Sequence, residues 1–84
     1  MNLTTLLSKL EVYNRDIVNY QGMPVCTWKG SITKVTVNTN DEYTNVIQLF
    51  MTHDGTDITL HINHSKNTHL TDYKLSDIST LVIT

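Results

Sequence analysis

The apolar positions at the start of the chain fall at Leu3, Leu6, Leu7, Leu10 and Tyr13, the i, i+3, i+4, i+7 spacing that lays one apolar stripe along a helix. Asn2 suits the N-cap, its side-chain oxygen free to accept an N–H of the first turn. Lys9 and Arg15 lie toward the other end, where cations complement the helix dipole. The spacing predicts a short amphipathic helix over about residues 3–13, its leucines packed onto a sheet.

From Asp16 the signal changes to strand. Ile17–Tyr20 and Val25–Trp28 are apolar or β-branched runs around "QGMP", which marks a turn, and Gly30 interrupts before "SITKVTV". Strands are predicted at about 16–20 and 25–37, the second long and bent at its glycine, with "NTNDE" at 38–42 as a loop. Further strands at about 45–52 and 57–64 form a hairpin. Asp54-Gly55 is a preferred pair for a two-residue type I′ turn. That turn sets His53 against Thr56, Met51 against Ile58, Leu49 against Leu60 and Ile47 against Ile62, an apolar face. Val46, Gln48, Phe50, Thr59, His61 and Asn63 then share the opposite face. The tail predicts strands at about 70–75 and 80–83, joined by one short turn at "SDIS" with Ile78 tucked inward.

This order makes the chain α+β: one N-terminal amphipathic helix followed by an antiparallel β-meander. A helix, a glycine-bent strand, a regular hairpin, then a strand and short turn leading to a last strand resembles a small SH3-like or Sm-like barrel. The resemblance lies in element order and covers most of the chain. The alternative is a flatter meander with the helix on one face.

With 84 residues the chain has room for a single domain, 1–84, whose thin core favours association with a partner. Its net charge of −2 is spread without runs, which disfavours broad attraction to nucleic acid. The lone Cys26 leaves no internal disulfide and suits a reducing compartment. The N-terminal segment has neither a basic leader nor a continuous apolar region, and no window approaches a membrane span. A soluble cytoplasmic protein is expected. Alanine is absent while Thr, Asn, Ile and Lys are abundant, usage that tracks AT-rich codons and points to a low-GC bacterium or to a phage or mobile element living in one.

Candidate chemistry is sparse. His53, His61, His64 and His69 lie within seventeen residues, but strand residues three apart point to opposite faces. Only His64 and His69 remain easy to bring together, and two ligands make a weak zinc site. Cys26 in "PVCTW" has nothing adjacent to activate it as a nucleophile. No glycine-rich phosphate loop or paired-aspartate motif occurs. No catalytic residue, metal site or cofactor is therefore expected.

Nucleic-acid or nucleotide binding through an aromatic sheet face, gathering Trp28, Lys29, Lys34, Phe50, Tyr73 and Lys74, is the second reading. The first is a non-enzymatic protein-binding module. Its candidate face is Val46, Gln48, Phe50, Thr59, His61 and Asn63, which is uncharged and has an aromatic anchor. Its partner is another protein or, as a homodimer, a second copy, and an inhibitor or modulator of a host protein fits a phage or mobile-element source.

Overall fold

The computed structural model describes residues 1–30, 32–64 and 71–84. Helix α1 (Leu3–Leu10) precedes strands β1 (Asn14–Tyr20), β2 (Met23–Lys29), β3 (Lys34–Val37), β4 (Asp41–Thr44), β5 (Val46–His53), β6 (Ile58–His64) and β7 (Thr71–Lys74). A 3₁₀ turn, Leu75–Asp77, then leads into β8 (Leu81–Ile83). The strands form a five-stranded sheet in the order β1-β2-β5-β6-β7 and a three-stranded sheet in the order β4-β3-β8. Every described pairing is antiparallel. The chain is α+β, with one short helix and a body of antiparallel sheet.

The helix forms as its stripe predicts: Asn2 Oδ1 accepts the Thr5 N–H at 2.8 Å, and Leu6 and Leu10 are fully buried. It ends earlier than Tyr13. The Tyr13 N–H returns to the Leu10 carbonyl at 3.0 Å, a tightened closing turn, and β1 begins at the next residue.

The long strand expected over 25–37 is two strands in two different sheets. Gly30 has φ +145, a conformation that side chains disfavour, and the Ile32 N–H bonds the Gly30 carbonyl at 2.8 Å. The chain turns there from the large sheet into the small one. Asn45, at φ 55, turns the neighbouring chain between β4 and β5. The loop expected at 38–42 is shorter, because Asp41 and Glu42 already pair in β4. Asn38 fastens that turn to the start of β8: its Oδ1 accepts the Ser79 N–H at 2.6 Å and its Nδ2 donates to the Asp77 carbonyl at 2.9 Å.

The register of the β5–β6 hairpin corrects the sequence expectation. His53 pairs with Ile58, Met51 with Leu60, Leu49 with Ile62 and Phe50 with His61, two residues away from the expected pairing. Asp54-Gly55 is not a two-residue type I′ turn. The connection is a four-residue loop in which Asp54 Oδ1 accepts the N–H groups of Thr56 at 2.9 Å and Asp57 at 2.7 Å. Positive φ at both central residues occurs instead at Gln21-Gly22, the two-residue loop between Tyr20 and Met23. A shift of two residues preserves side-chain parity, so the face assignments largely survive it. The exception is a bulge between Val46 and Gln48. Ile47, expected in the core, is the extra residue and is 52% exposed, while Val46 turns into the core.

The core gathers Leu6 and Leu10 from the helix, Trp28, Leu49, Leu60 and Ile62 from the large sheet, Val35, Val37 and Leu81 from the small sheet, and Leu75 and Ile78 from the turn between β7 and β8. Leu60→Ala should cost about 2–5 kcal/mol in urea unfolding, whereas Ile47→Ser should stay within about 0.5 kcal/mol. Equal losses from the two would refute the bulge.

Candidate functional site

The registers of four adjacent strands align Thr27, Phe50, His61 and Asp72 in one row across the large sheet. This row lies on the face opposite Leu49, Leu60 and Ile62. Phe50 is nevertheless only 5% exposed and His61 8%. Their rings stack at 4.5 Å with an 11° interplanar angle. Tyr20, from the last position of β1, lies 4.9 Å from the Phe50 ring and 6.0 Å from His61.

The polar groups beneath this cover are satisfied. Gln48 Nε2 donates to Thr27 Oγ1 at 2.7 Å, and the Thr27 hydroxyl donates to the Leu49 carbonyl at 3.1 Å. His61 is held from both ring nitrogens: Nδ1 lies 2.6 Å from Asp72 Oδ1, and Nε2 lies 2.7 Å from the Thr52 hydroxyl. Nδ1 carries the proton toward the carboxylate in this arrangement, which fixes the ring plane against Phe50.

The six sequence-predicted face residues therefore separate. Val46 belongs to the main core; Phe50 and His61 form the buried outer cluster; Gln48 caps Thr27; Thr59 and Asn63 are half-buried in β6. Tyr20, Thr52 and Asp72 were not anticipated. The "NY-QG" stretch signals a turn that would carry Tyr20 across the sheet, but the partners of His61 follow only from the true register and from β7.

Beside this cluster the sheet opens. Strands β2 and β5 pair only from Cys26 with Met51 to Trp28 with Leu49. The next pairs in that register, Val25 with Thr52 and Pro24 with His53, are not made, and Pro24 has no N–H to give the ladder. The tips of the β1–β2 and β5–β6 hairpins separate around a cleft of about 760 Å³, lined by Tyr20, Met23, Val25, Met51, Thr52 and Ile58 among others. Met23 is 58% exposed at its edge. Asp54 stands at the lip with His53. The backbone N–H groups of Asp57 and Thr56 hold its carboxyl below the ordinary value near 3.8.

The other described histidines, His53 and His64, stand apart from the Phe50–His61 cluster. His53 is exposed, its Nδ1 accepting the Gly55 N–H at 3.3 Å, and His64 Nε2 meets the Thr71 hydroxyl at 3.1 Å. His69 lies outside the described residues. Among the described residues no three His, Cys, Asp or Glu side chains converge as ligands. Cys26 is half-buried beside the cleft.

A second polar cluster joins the two sheets. The Tyr43 and Tyr73 hydroxyls are hydrogen-bonded to each other, Tyr73 donates to Asp41 Oδ2 at 3.1 Å, and the Tyr43 ring lies 5.3 Å from His64. Burial, then the hydrogen bonds to Tyr43 and Asp41, push the Tyr73 hydroxyl above its ordinary value of 10.

Two measurements check these assignments. Phe50→Ala should destabilise the fold by about 3 kcal/mol in denaturant unfolding, and Phe50→Asp should unfold it rather than merely abolish an association. For Tyr73, the folded state holds its proton more tightly than the unfolded chain. The associated stability is intact below pH 10 and is lost as pH rises above it. Tyr73→Phe should flatten that alkaline loss, and absorbance titration should show one tyrosine ionising after the others.

No protein-family model, curated protein or solved structure matches the chain.

Proposed function

We propose that the chain is a non-enzymatic protein-binding module built as a small SH3-like or Sm-like barrel with an added N-terminal strand. Connectivity supports the barrel reading. β2 passes through the turn at Gly30 into β3 in the small sheet, and β4 passes through the turn at Asn45 into β5 in the large one. β6 and β7 follow, and after the 3₁₀ turn β8 returns to pair with β3.

The cleft between the hairpin tips carries the binding reading. It is apolar on its walls, open to solvent, bordered by exposed Met23, and lined by neither lysine nor arginine. Such a surface suits the anchor pocket of an interface. A host protein is the proposed partner, with the chain acting in the cytoplasm as its inhibitor or modulator. Composition favours a phage, mobile-element or low-GC bacterial source, and a lone cysteine favours a reducing compartment.

Nucleic-acid binding draws less support, since of the rings expected to stack bases Trp28 lies in the main core and Phe50 is covered on the other face. An enzymatic reading would rest on Thr52, His61 and Asp72, which follow the order of a nucleophilic triad. Thr52, however, offers a secondary hydroxyl, and it and the residues on either side are engaged in the β5–β6 ladder. A satisfied network that orients His61 accounts for the same contacts.

Affinity capture from the natural host, with Met23→Lys in parallel, tests the proposal. The unmodified chain should retain a protein that the variant retains about ten-fold less or worse, with unchanged thermal stability. Salt-sensitive oligonucleotide binding without a protein partner would overturn it.

A further inference from the structure

The cleft has a chemical preference that its shape alone does not give. Its walls are Tyr20, Val25, Met51 and Ile58, and beyond them the lining residues carry one formal charge, the Asp54 carboxylate. That carboxylate is held in place by the Thr56 and Asp57 N–H groups at 2.9 and 2.7 Å, so the loop fixes its position at the lip. Lys74, whose Nζ stands 3.7 Å from Asp57 on the same loop, is paired with that carboxylate.

An occupant meeting this cleft thus finds apolar walls and a negative edge. Its volume of about 760 Å³ lies within the usual range of roughly 300–1,000 Å³ for sites that engulf a compact group. We propose that the cleft seats a bulky apolar side chain of a protein partner whose adjacent residues carry lysine or arginine. The proposal rests on the binding-module reading and names the partner's chemistry.

Electrostatics selects the occupant. A cationic flank gains from Asp54 and from the chain's overall charge of −2, whereas an acidic flank is repelled by both. The same charge opposes a second copy, whose body is equally acidic. The lost pairs between β2 and β5 leave a gap in the ladder that a neighbouring backbone can approach. The apolar side chain would enter this gap first, its cation resting at the Asp54 lip.

The test uses the isotopically labelled full chain and three capped peptides followed by NMR: Lys-Leu-Trp-Leu-Lys, Glu-Leu-Trp-Leu-Glu and Lys-Ser-Ser-Ser-Lys. The first should shift the amides of Val25, Thr52, His53 and Ile58. The second should bind about five-fold more weakly or worse, and the third should not bind. Asp54→Asn keeps the oxygen that the turn N–H groups need. It should weaken the first peptide about two- to three-fold and narrow its advantage over the second, while Met23→Lys should abolish binding of the first.

Equal binding of the acidic and basic peptides, shifts centred elsewhere, no shifts at all, or concentration-dependent shifts of the same amides without peptide would each overturn the inference. If the host partner is still captured in a Met23-dependent way, such a result removes only the charge preference. If capture is also lost or insensitive to Met23, the binding-module reading at this cleft falls with it.

Discussion

Two backbone positions allow one chain to build two sheets around a single core. Gly30 at φ +145 and Asn45 at φ 55 turn neighbouring lengths of chain between the same sheets. The pairing of β2 with β5 on one side is continued as β3 with β4 on the other. Without those turns the side chains of Val35 and Val37 would extend the flat face of the large sheet. With them, they fold over and meet Leu49, Leu60 and Ile62, and the helix supplies Leu6 and Leu10. Glycine relieves the first turn sterically; at the second, asparagine is among the residues that best tolerate the left-handed region.

The bend also explains why the second face of the large sheet needs its own cover. The core is confined to the concave side, and the row Thr27, Phe50, His61 lies on the other. Phe50 would stay in water there, but Tyr20 crosses above it and the imidazole stacks beside it. Burying an imidazole and a threonine hydroxyl is costly unless both are hydrogen-bonded. Asp72 from β7, with Thr52 and Gln48 from β5, supplies those bonds. The outer cluster therefore ties β1, β2, β5, β6 and β7 together independently of the main core.

Much of this was legible in local pattern. Leucine spacing and the Asn2 cap revealed the helix, period-two alternation revealed the hairpin, and Gly30 revealed the interruption. What was not legible depended on properties that alternation does not record. Parity cannot tell a register from one displaced by two residues, so the choice fell to the turn. Asp54 resolved that choice through its side chain, capping Thr56 and Asp57, rather than through the positive φ that an Asp-Gly pair suggests. The bulge at Ile47 then inverted one short stretch, sending Val46 inward. In the candidate face, Phe50 and His61 were placed on the correct side of the sheet, but their burial depends on Tyr20, thirty residues before Phe50 in the chain.

The cleft follows from the same economy of backbone hydrogen bonds. In β2, Pro24 sits where the ladder to β5 would gain its next donor, and pairing ends at Cys26 and Met51. Both hairpins continue past that point, since β1 pairs with β2 as far as Tyr20 with Met23 and β5 pairs with β6 as far as His53 with Ile58. Each tip is thus internally paired while the two tips are unpaired with each other. Closing the gap would set Pro24 against His53 with a donor missing. Leaving it open exposes Met23 and the walls of the cleft instead. An apolar opening maintained by a residue that cannot complete the ladder is a surface that a partner's side chain can fill without first breaking a hydrogen bond of the sheet.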